Sequence, residues 1–99
     1  MKIPVAVCKD YTLFFEDDKG FCFIHCDCIR WTNTVKKRML KDLVNIQKQD
    51  IYAIHEILDK KHAKFLELFG FKFLKDFVGL DGQCRQLYIR RMSWELKQL

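Results

Sequence analysis

Side chains that can take up or release a proton lie in two apolar segments of the chain. His25 and Asp27 belong to the segment FCFIHCDCI, and His55 and Glu56 belong to the segment IYAIHEI. A histidine whose pKa is near its ordinary value can accept a proton from a substrate at neutral pH. The simpler explanation for each of the four is a polar residue on a sheet or at the surface. They are therefore candidate general bases by residue type.

Cys22, Cys26 and Cys28 surround His25, and cysteine and histidine are the usual ligands of zinc. Alternate residues of an extended strand project in parallel about 6 to 7 Å apart, so they do not converge on one tetrahedral ion. No second pair such as Cys-x2-Cys occurs. We interpret these cysteines as small buried thiols and expect no metal site. Five cysteines without a secretory signal also predict free thiols rather than disulfides.

Three consecutive cations, Lys36, Lys37 and Arg38, follow a polar segment at residues 30–34. At the start of a helix, each cation opposes the helix dipole by about 0.3 to 1 kcal/mol, and a bound anion would remove this conflict. The alternative is that three long, solvated side chains tolerate a small penalty. The sequence therefore marks a candidate anion site here.

In the second half of the chain, the sequence predicts a helix, a glycine that ends it and a hairpin. The residues at helical spacing are Leu58, His62, Phe65, Leu66 and Phe69. Gly70 can take the left-handed conformation that ends a helix. Residues 71–78 alternate as in a strand, and Asp81-Gly82 predicts a two-residue hairpin turn into a return strand at residues 83–91. On the apolar stripe of its helix, His62 is more simply a packed histidine with one hydrogen bond than a catalyst.

The first half predicts three antiparallel strands. Residues 3–8 and 11–16 are rich in β-formers, with Lys9-Asp10 between them as a tight turn. Residues 17–20 have the turn composition for a second hairpin, which leads into a strand at residues 21–29. This third strand is apolar on both faces, which predicts a central position with cover on both sides.

A helix and a crossover follow. Asn33 or Thr34 can cap a helix that runs to about Lys48. Its apolar stripe is formed by Val35, Met39, Leu40, Leu43, Val44 and Ile46. Residues 51–57 predict a strand parallel to residues 21–29, because a helix of crossover length separates the two, and this gives a right-handed βαβ unit. Residues 93–99 can form a short terminal helix. The predicted order is β-β-β-α-β-α-β-β.

Part of this sequence resembles the C-terminal part of the GNAT acetyltransferase superfamily, whose last helix ends in Gly-Phe before two strands. The residues that carry the resemblance, including a similarity to small acetyltransferase-like proteins of short-tailed phages, are His62, Phe65, Leu66, Gly70, Phe71, Asp81 and Gly82. The similarity extends back through residues 21–43. It implies an α/β (α+β) fold with a minimal GNAT-like mixed sheet that lacks the usual N-terminal strand and helices. The apolar sheet faces would then need cover from a protein partner, a homodimer or the tail at residues 92–99.

The resemblance also implies acetyl-CoA as the cofactor, with its pyrophosphate at the N-terminus of the long helix. The residues that would bind it are Arg30, Asn33, Thr34, Lys36, Lys37 and Arg38. The family's Gln/Arg-x-x-Gly-x-Gly/Ala loop is missing, since residues 30–38 contain no glycine.

For catalysis, the resemblance places Leu66 where family members often carry a tyrosine that protonates the CoA thiolate, and leucine cannot donate a proton. Tyr52 and Tyr88 are substitutes by residue type. The strands that would flank the cofactor carry the candidate bases named above. The catalytic candidates are His25, His55, Glu56 and Tyr88.

Composition limits the remaining classes. Ninety-nine residues are enough for one domain, residues 1–99. The net charge of +5 is interrupted by acidic residues along the chain, and no recognition motif accompanies it, so we expect no nucleic-acid binding. No apolar stretch approaches transmembrane length, and the apolar run within residues 1–7 is too short for a signal peptide. We expect no membrane association and a cytoplasmic protein, in the host cell if the chain is phage-encoded.

Two functions remain open. The first is acetyl-CoA-dependent N-acetyltransfer to an amine. The second is a catalytically degenerate GNAT-fold protein that acts by protein–protein binding, in phage assembly or in inhibition of a host factor.

Overall fold

The computed structural model describes residues 1–92 and contains six strands and two helices in the predicted order. The elements are β1 (Lys2–Val7), β2 (Tyr11–Asp18), β3 (Phe21–Cys28), α1 (Asn33–Ile46), β4 (Ile51–Glu56), α2 (Lys60–Leu68), β5 (Lys72–Val78) and β6 (Cys84–Arg90). The predicted α+β class is therefore confirmed. The predicted terminal helix at residues 93–99 lies outside the described residues.

The chain divides into two compact units, Met1–Lys48 and Gln49–Leu99. Within residues 1–92, each unit contains three strands and one helix. The predicted single domain and the predicted parallel pairing of β3 with β4 involve both units, and they stay predictions.

The strands of the first unit form an antiparallel meander with β2 in the centre. The turn between β1 and β2 lies at Lys9-Asp10 as predicted, and Cys8 N–H donates to Tyr11 O at 3.0 Å across it. Between β2 and β3 the turn has two residues, Lys19 at φ 54° and Gly20 at φ 85°. Positive φ at both positions matches the right-handed twist of the flanking strands. The second predicted reversal is confirmed at residues 17–20.

Helix α1 is capped by Thr32, so the prediction of Asn33 or Thr34 as cap was wrong. The Thr32 hydroxyl accepts from Val35 N–H at 3.1 Å, which satisfies one of the N–H groups that a helix start leaves unpaired. The buried stripe is also narrower than predicted. It contains Val35, Met39 and Leu43, whereas Leu40 and Val44 are 37% and 49% exposed.

In the second unit, β6 lies between β4 and β5 and pairs antiparallel with both. One face of β4 carries Ile51, Ala53 and His55, all at most 4% exposed. The register places Ala53 opposite Tyr88 on β6. Because side chains alternate along a strand, Tyr88 lies on the same face as His55.

The hairpin between β5 and β6 is wider than the predicted two-residue turn. Gly79 N–H donates to Gln83 O at 2.8 Å and Gly82 N–H donates to Gly79 O at 3.0 Å, which leaves a three-residue loop that ends with Gly82 at φ 81°. Such loops pair a tight turn with a left-handed residue. The position of the turn was predicted, but its length was wrong.

Helix α2 begins at a cap and ends at a glycine. The Asp59 carboxylate accepts from His62 N–H at 3.0 Å. At the other end, Phe71 N–H donates to Leu66 O at 2.9 Å and Gly70 N–H donates to Glu67 O at 3.1 Å. With Gly70 at φ 79°, these two bonds form a Schellman motif, so the predicted glycine stop is confirmed. Neither described helix is long and apolar enough to cross a membrane.

Candidate active site

Two histidines of the second unit bond to each other. His55 lies on β4 and His62 lies in the first turn of α2, and their Nδ1 atoms are 2.9 Å apart. Their ring centroids are 5.1 Å apart. The Asp59 cap fixes where α2 starts, and the alternation of β4 directs His55 toward this helix. Two residues separated by one short connection are thereby brought into direct contact.

Aromatic rings surround the histidine pair. Tyr88 packs edge-on against His55 with ring centroids 5.6 Å apart, and Phe65 stacks on His62 at 6.4 Å. His55 is 2% exposed and Tyr88 is 8% exposed, whereas His62 is half-buried. His62 is therefore the member of the pair whose ring solvent or a substrate can reach.

The surroundings favour a neutral His62. Burial lowers the pKa of His62 below its ordinary value of 6.5, and the charge of His55 lowers it further. The carboxylates of Asp59 and Glu56 oppose this shift. A histidine that is neutral at physiological pH is able to accept a proton.

Glu56 does not join the pair. It follows His55 in β4, so its side chain projects from the opposite face. There Arg85 Nε donates to Glu56 Oε1 at 2.7 Å, and Arg85 Nη2 donates to Asp81 Oδ2 at 2.7 Å. Glu56 is therefore part of an exposed ion-pair cluster at the β5–β6 hairpin.

His25 belongs to the first unit. Its Nε2 lies 2.9 Å from Glu16 Oε1 on the neighbouring strand. Of the four predicted catalytic residues, the structure brings His55 and Tyr88 into contact, and places His25 and Glu56 in separate polar contacts.

The predicted cofactor-binding residues lie around the start of α1. The side chains of Arg30, Asn33, Thr34, Lys37 and Arg38 are exposed and that of Lys36 is half-buried. The first turn contains no acidic residue. Because the helix begins at Asn33, Lys36 closes the first turn and Lys37 and Arg38 lie just beyond it. Their unfavourable interaction with the helix dipole is consequently smaller.

The five cysteines are free, and Cys26 is a poor nucleophile. Burial raises the pKa of Cys26 to about 12, with smaller contributions from Cys28 and Asp27. Among residues 1–92, no group of three or more His, Cys, Asp or Glu side chains is arranged to hold a metal ion.

Sequence reasoning treated His62 as a packed residue and missed its contact with His55. The available signal was Asp59-x2-His62, which is the spacing of a helix cap. A cap at Asp59 places His62 at the start of α2, close to the end of the strand that carries His55.

Comparison with known proteins gives a result at the level of the fold. Neither a protein-family model nor a curated protein matches the sequence. Among solved structures, the chain is similar to a protein assigned as a GnaT-family acetyltransferase from Bordetella pertussis, with a TM-score of 0.63 and 17% identity. The chain has a GNAT-like fold. The similarity covers 82% of this chain and 57% of that protein, so the GNAT-like chain spans little more than half its length.

Proposed function

We propose that this chain is an N-acetyltransferase that moves an acetyl group from acetyl-CoA to an amine. The observation that carries the proposal is the similarity of fold to the GnaT-family protein over 82% of the chain. Because one fold can support many activities, the activity has to be inferred from the residues of the site.

The start of α1 has the positive charge that an anionic group requires. A helix N-terminus presents N–H groups without intrahelical partners, and here no carboxylate competes for them in the first turn. Asn33 and Thr34 would hold the pyrophosphate of CoA through their N–H groups, with Lys37 and Arg38 as exposed counter-charges. Arg30 and Lys36 flank this position. Acetyl-CoA, when bound, supplies the thioester whose carbonyl carbon is attacked by an amine.

The second unit contains side chains that can transfer protons. An ammonium substrate must lose a proton before its nitrogen can attack, and His62, whose pKa is lowered by burial, can accept that proton in its neutral form. Tyr88 contacts this pair and carries a hydroxyl that can donate a proton. Leu66 is 2% exposed and belongs to the core, so it takes no part.

The proposal is tested by calorimetric titration of the chain with CoA and acetyl-CoA. The Lys37→Gln/Arg38→Gln double variant should weaken CoA binding by about 1 to 3 kcal/mol, because charge-assisted contacts with the anion are lost. Its thermal stability should change little, since both side chains are exposed and lie beyond the first turn. The matched control is Lys41→Gln/Lys48→Gln, which removes the same charge from exposed positions away from the helix start. No heat with wild type at millimolar CoA, together with no product from mixed amine acceptors, would defeat the proposal.

A second function is favoured by two observations. Residues 30–38 contain no glycine to let the backbone approach a phosphate closely, and Leu66 is a core residue. We infer from these that the alternative is a degenerate GNAT-fold protein. It would bind another protein, in phage assembly or in inhibition of a host factor in the host cytoplasm, or pair with a second copy of itself. This alternative expects no CoA affinity, so the titration separates the two functions.

A further inference from the structure

The contact between His55 and His62 contains a single proton. Two neutral imidazoles that meet through Nδ1 share one N–H, so one ring donates and the other accepts. If His62 donates, a lone pair remains on His62 Nε2. If His55 donates, His62 Nε2 carries a hydrogen and cannot accept a proton.

We propose that His62 accepts the proton released by the amine substrate, and that His55 is the positioning residue that fixes the His62 ring and its tautomer. This inference rests on the proposed acetyltransferase function. It assigns the base to a residue on α2 that sequence reasoning interpreted as packing.

Accessibility separates the two rings. His55 is 2% exposed and sits under the edge of Tyr88, so a substrate cannot contact it directly. His62 is half-buried, with one ring face against Phe65. The reachable ring is therefore also the ring that its neighbours hold in place.

The charges around the pair fit a cation that forms transiently on His62. His55 from β4 and Asp59 from the cap of α2 lie next to His62, Glu56 acts on it through its charge from the other face of β4, and Tyr88 from β6 faces His55. The two carboxylates favour protonated His62. A protonated His62 donates from Nδ1 to neutral His55, which is a charge-assisted bond stronger than the neutral one.

The proton balance is simple. One N–H bond of the substrate ammonium breaks and its electron pair stays on the amine nitrogen, while a new N–H bond forms at His62 Nε2. The Nδ1–H of His62 stays in the bond to His55 throughout. When His62 starts as the donor, no rearrangement inside the pair is needed.

The first test requires no substrate. Imidazole nitrogen NMR of the full chain across pH 5 to 9 should show neutral His62 as the Nδ1–H tautomer, with a midpoint below 6.5, and neutral His55 as the Nε2–H tautomer. In His55→Asn, an amide oxygen can still accept from His62 Nδ1, so the His62 tautomer should persist. In His55→Leu, which has no acceptor, it should be lost. An Nε2–H tautomer on neutral His62 in wild type would overturn the inference.

The second test is the pH dependence of kcat/KM for acetylation of an amine. His62→Gln should lower kcat/KM about 100-fold or more and remove the acidic inflection, because general-base catalysis contributes on this scale. His55→Asn should keep the inflection, whereas His55→Leu should shift it. Lys64→Gln, an exposed change on the same helix, is the control for nonspecific effects.

The outcomes of the two tests distinguish a failure of the role of His62 from a failure of the proposed acetyltransferase function. An unchanged rate and pH profile in folded His62→Gln would overturn the role of His62 while leaving the acetyltransferase function in place. No acetylation by wild type, with the expected tautomers, would defeat the proposed function and with it the catalytic role, but would support the assignment of donor and acceptor within the pair.

Discussion

A buried hydroxyl links the sheet of the first unit to its helix. Tyr11 on β2 is 1% exposed, and its hydroxyl donates to the Asp42 carboxylate on α1. Burial raises the pKa of Tyr11 above its ordinary value, and the bond to Asp42 and the charge of this carboxylate raise it further. The bond therefore depends on a protonated tyrosine and an ionised aspartate.

Tyr11→Phe should lower the free energy of unfolding by about 1.5 to 3 kcal/mol, the range for a hydrogen bond to a charged group. The phenyl ring keeps the packing, so the loss reports the hydroxyl and the carboxylate that it leaves unpaired. Urea unfolding should show a lower midpoint with an unchanged m-value. Asp42→Asn retains an acceptor oxygen and should lose less. Equal stability of Tyr11→Phe and wild type would contradict this account.

At the residue scale, sequence identified chemical types but not contacts. His55 and Tyr88 were selected by type, and their contact depends on the pairing of β4 with β6. The apolar stripe of α2 is by itself enough to explain His62 as a packed residue, so the sequence does not indicate its contact with His55. Only the register of a sheet and the start of a helix, which involve distant residues, bring the three rings together.

At the scale of elements, the start of α1 is set by one side chain. Thr32→Ala should destabilise the chain by about 1 kcal/mol, because Val35 N–H loses its acceptor. Thr34→Ala is the matched control, since Thr34 lies inside the helix and should change stability by less than about 0.5 kcal/mol. Thermal unfolding of both variants gives the comparison. A larger loss in Thr34→Ala than in Thr32→Ala would place the cap where the sequence had suggested it.

Two of the predicted hairpins show which features of an element a sequence specifies. Composition marked both turns, yet the two-residue turn forms at Lys19-Gly20 and the three-residue loop forms around Asp81-Gly82. In the second loop, Asp81 Oδ1 accepts from Gln83 N–H and from Arg85 Nη1, both at 3.0 Å. These bonds hold Asp81 in a wider loop than the Asp-Gly pattern indicates. Turn position follows local residues, whereas turn length here also depends on Arg85, a residue of the next strand.

At the scale of the whole molecule, four groups with shifted pKa values, whose ordinary values lie between 6.5 and 10.0, form two sets with opposite dependence on pH. His62 has a lowered pKa, so the folded state favours its neutral form. Tyr11, Cys22 and Cys26 have raised pKa values, so the folded state favours their neutral forms as well. The folded chain therefore binds fewer protons than the unfolded chain at mildly acidic pH, and it binds more protons than the unfolded chain at alkaline pH.

The free energy of unfolding should consequently be greatest between about pH 6.5 and 9. A group whose folded pKa is lowered contributes stability above its ordinary pKa, so the His62 contribution falls as pH drops below 6.5. A group whose folded pKa is raised contributes stability below its ordinary pKa, so the Cys26 contribution falls above pH 9.0 and the Tyr11 contribution falls above pH 10.0.

Urea unfolding at pH 5, 7 and 10.5 measures the fall in the free energy of unfolding on the acidic limb and on the alkaline limb of this pH profile. His62→Gln should flatten the limb between pH 5 and 6.5, and Tyr11→Phe should reduce the loss above pH 10. A wild-type chain that is more stable at pH 5 than at pH 7 would show that protonating His62 favours the folded state, against the burial that keeps its ring neutral.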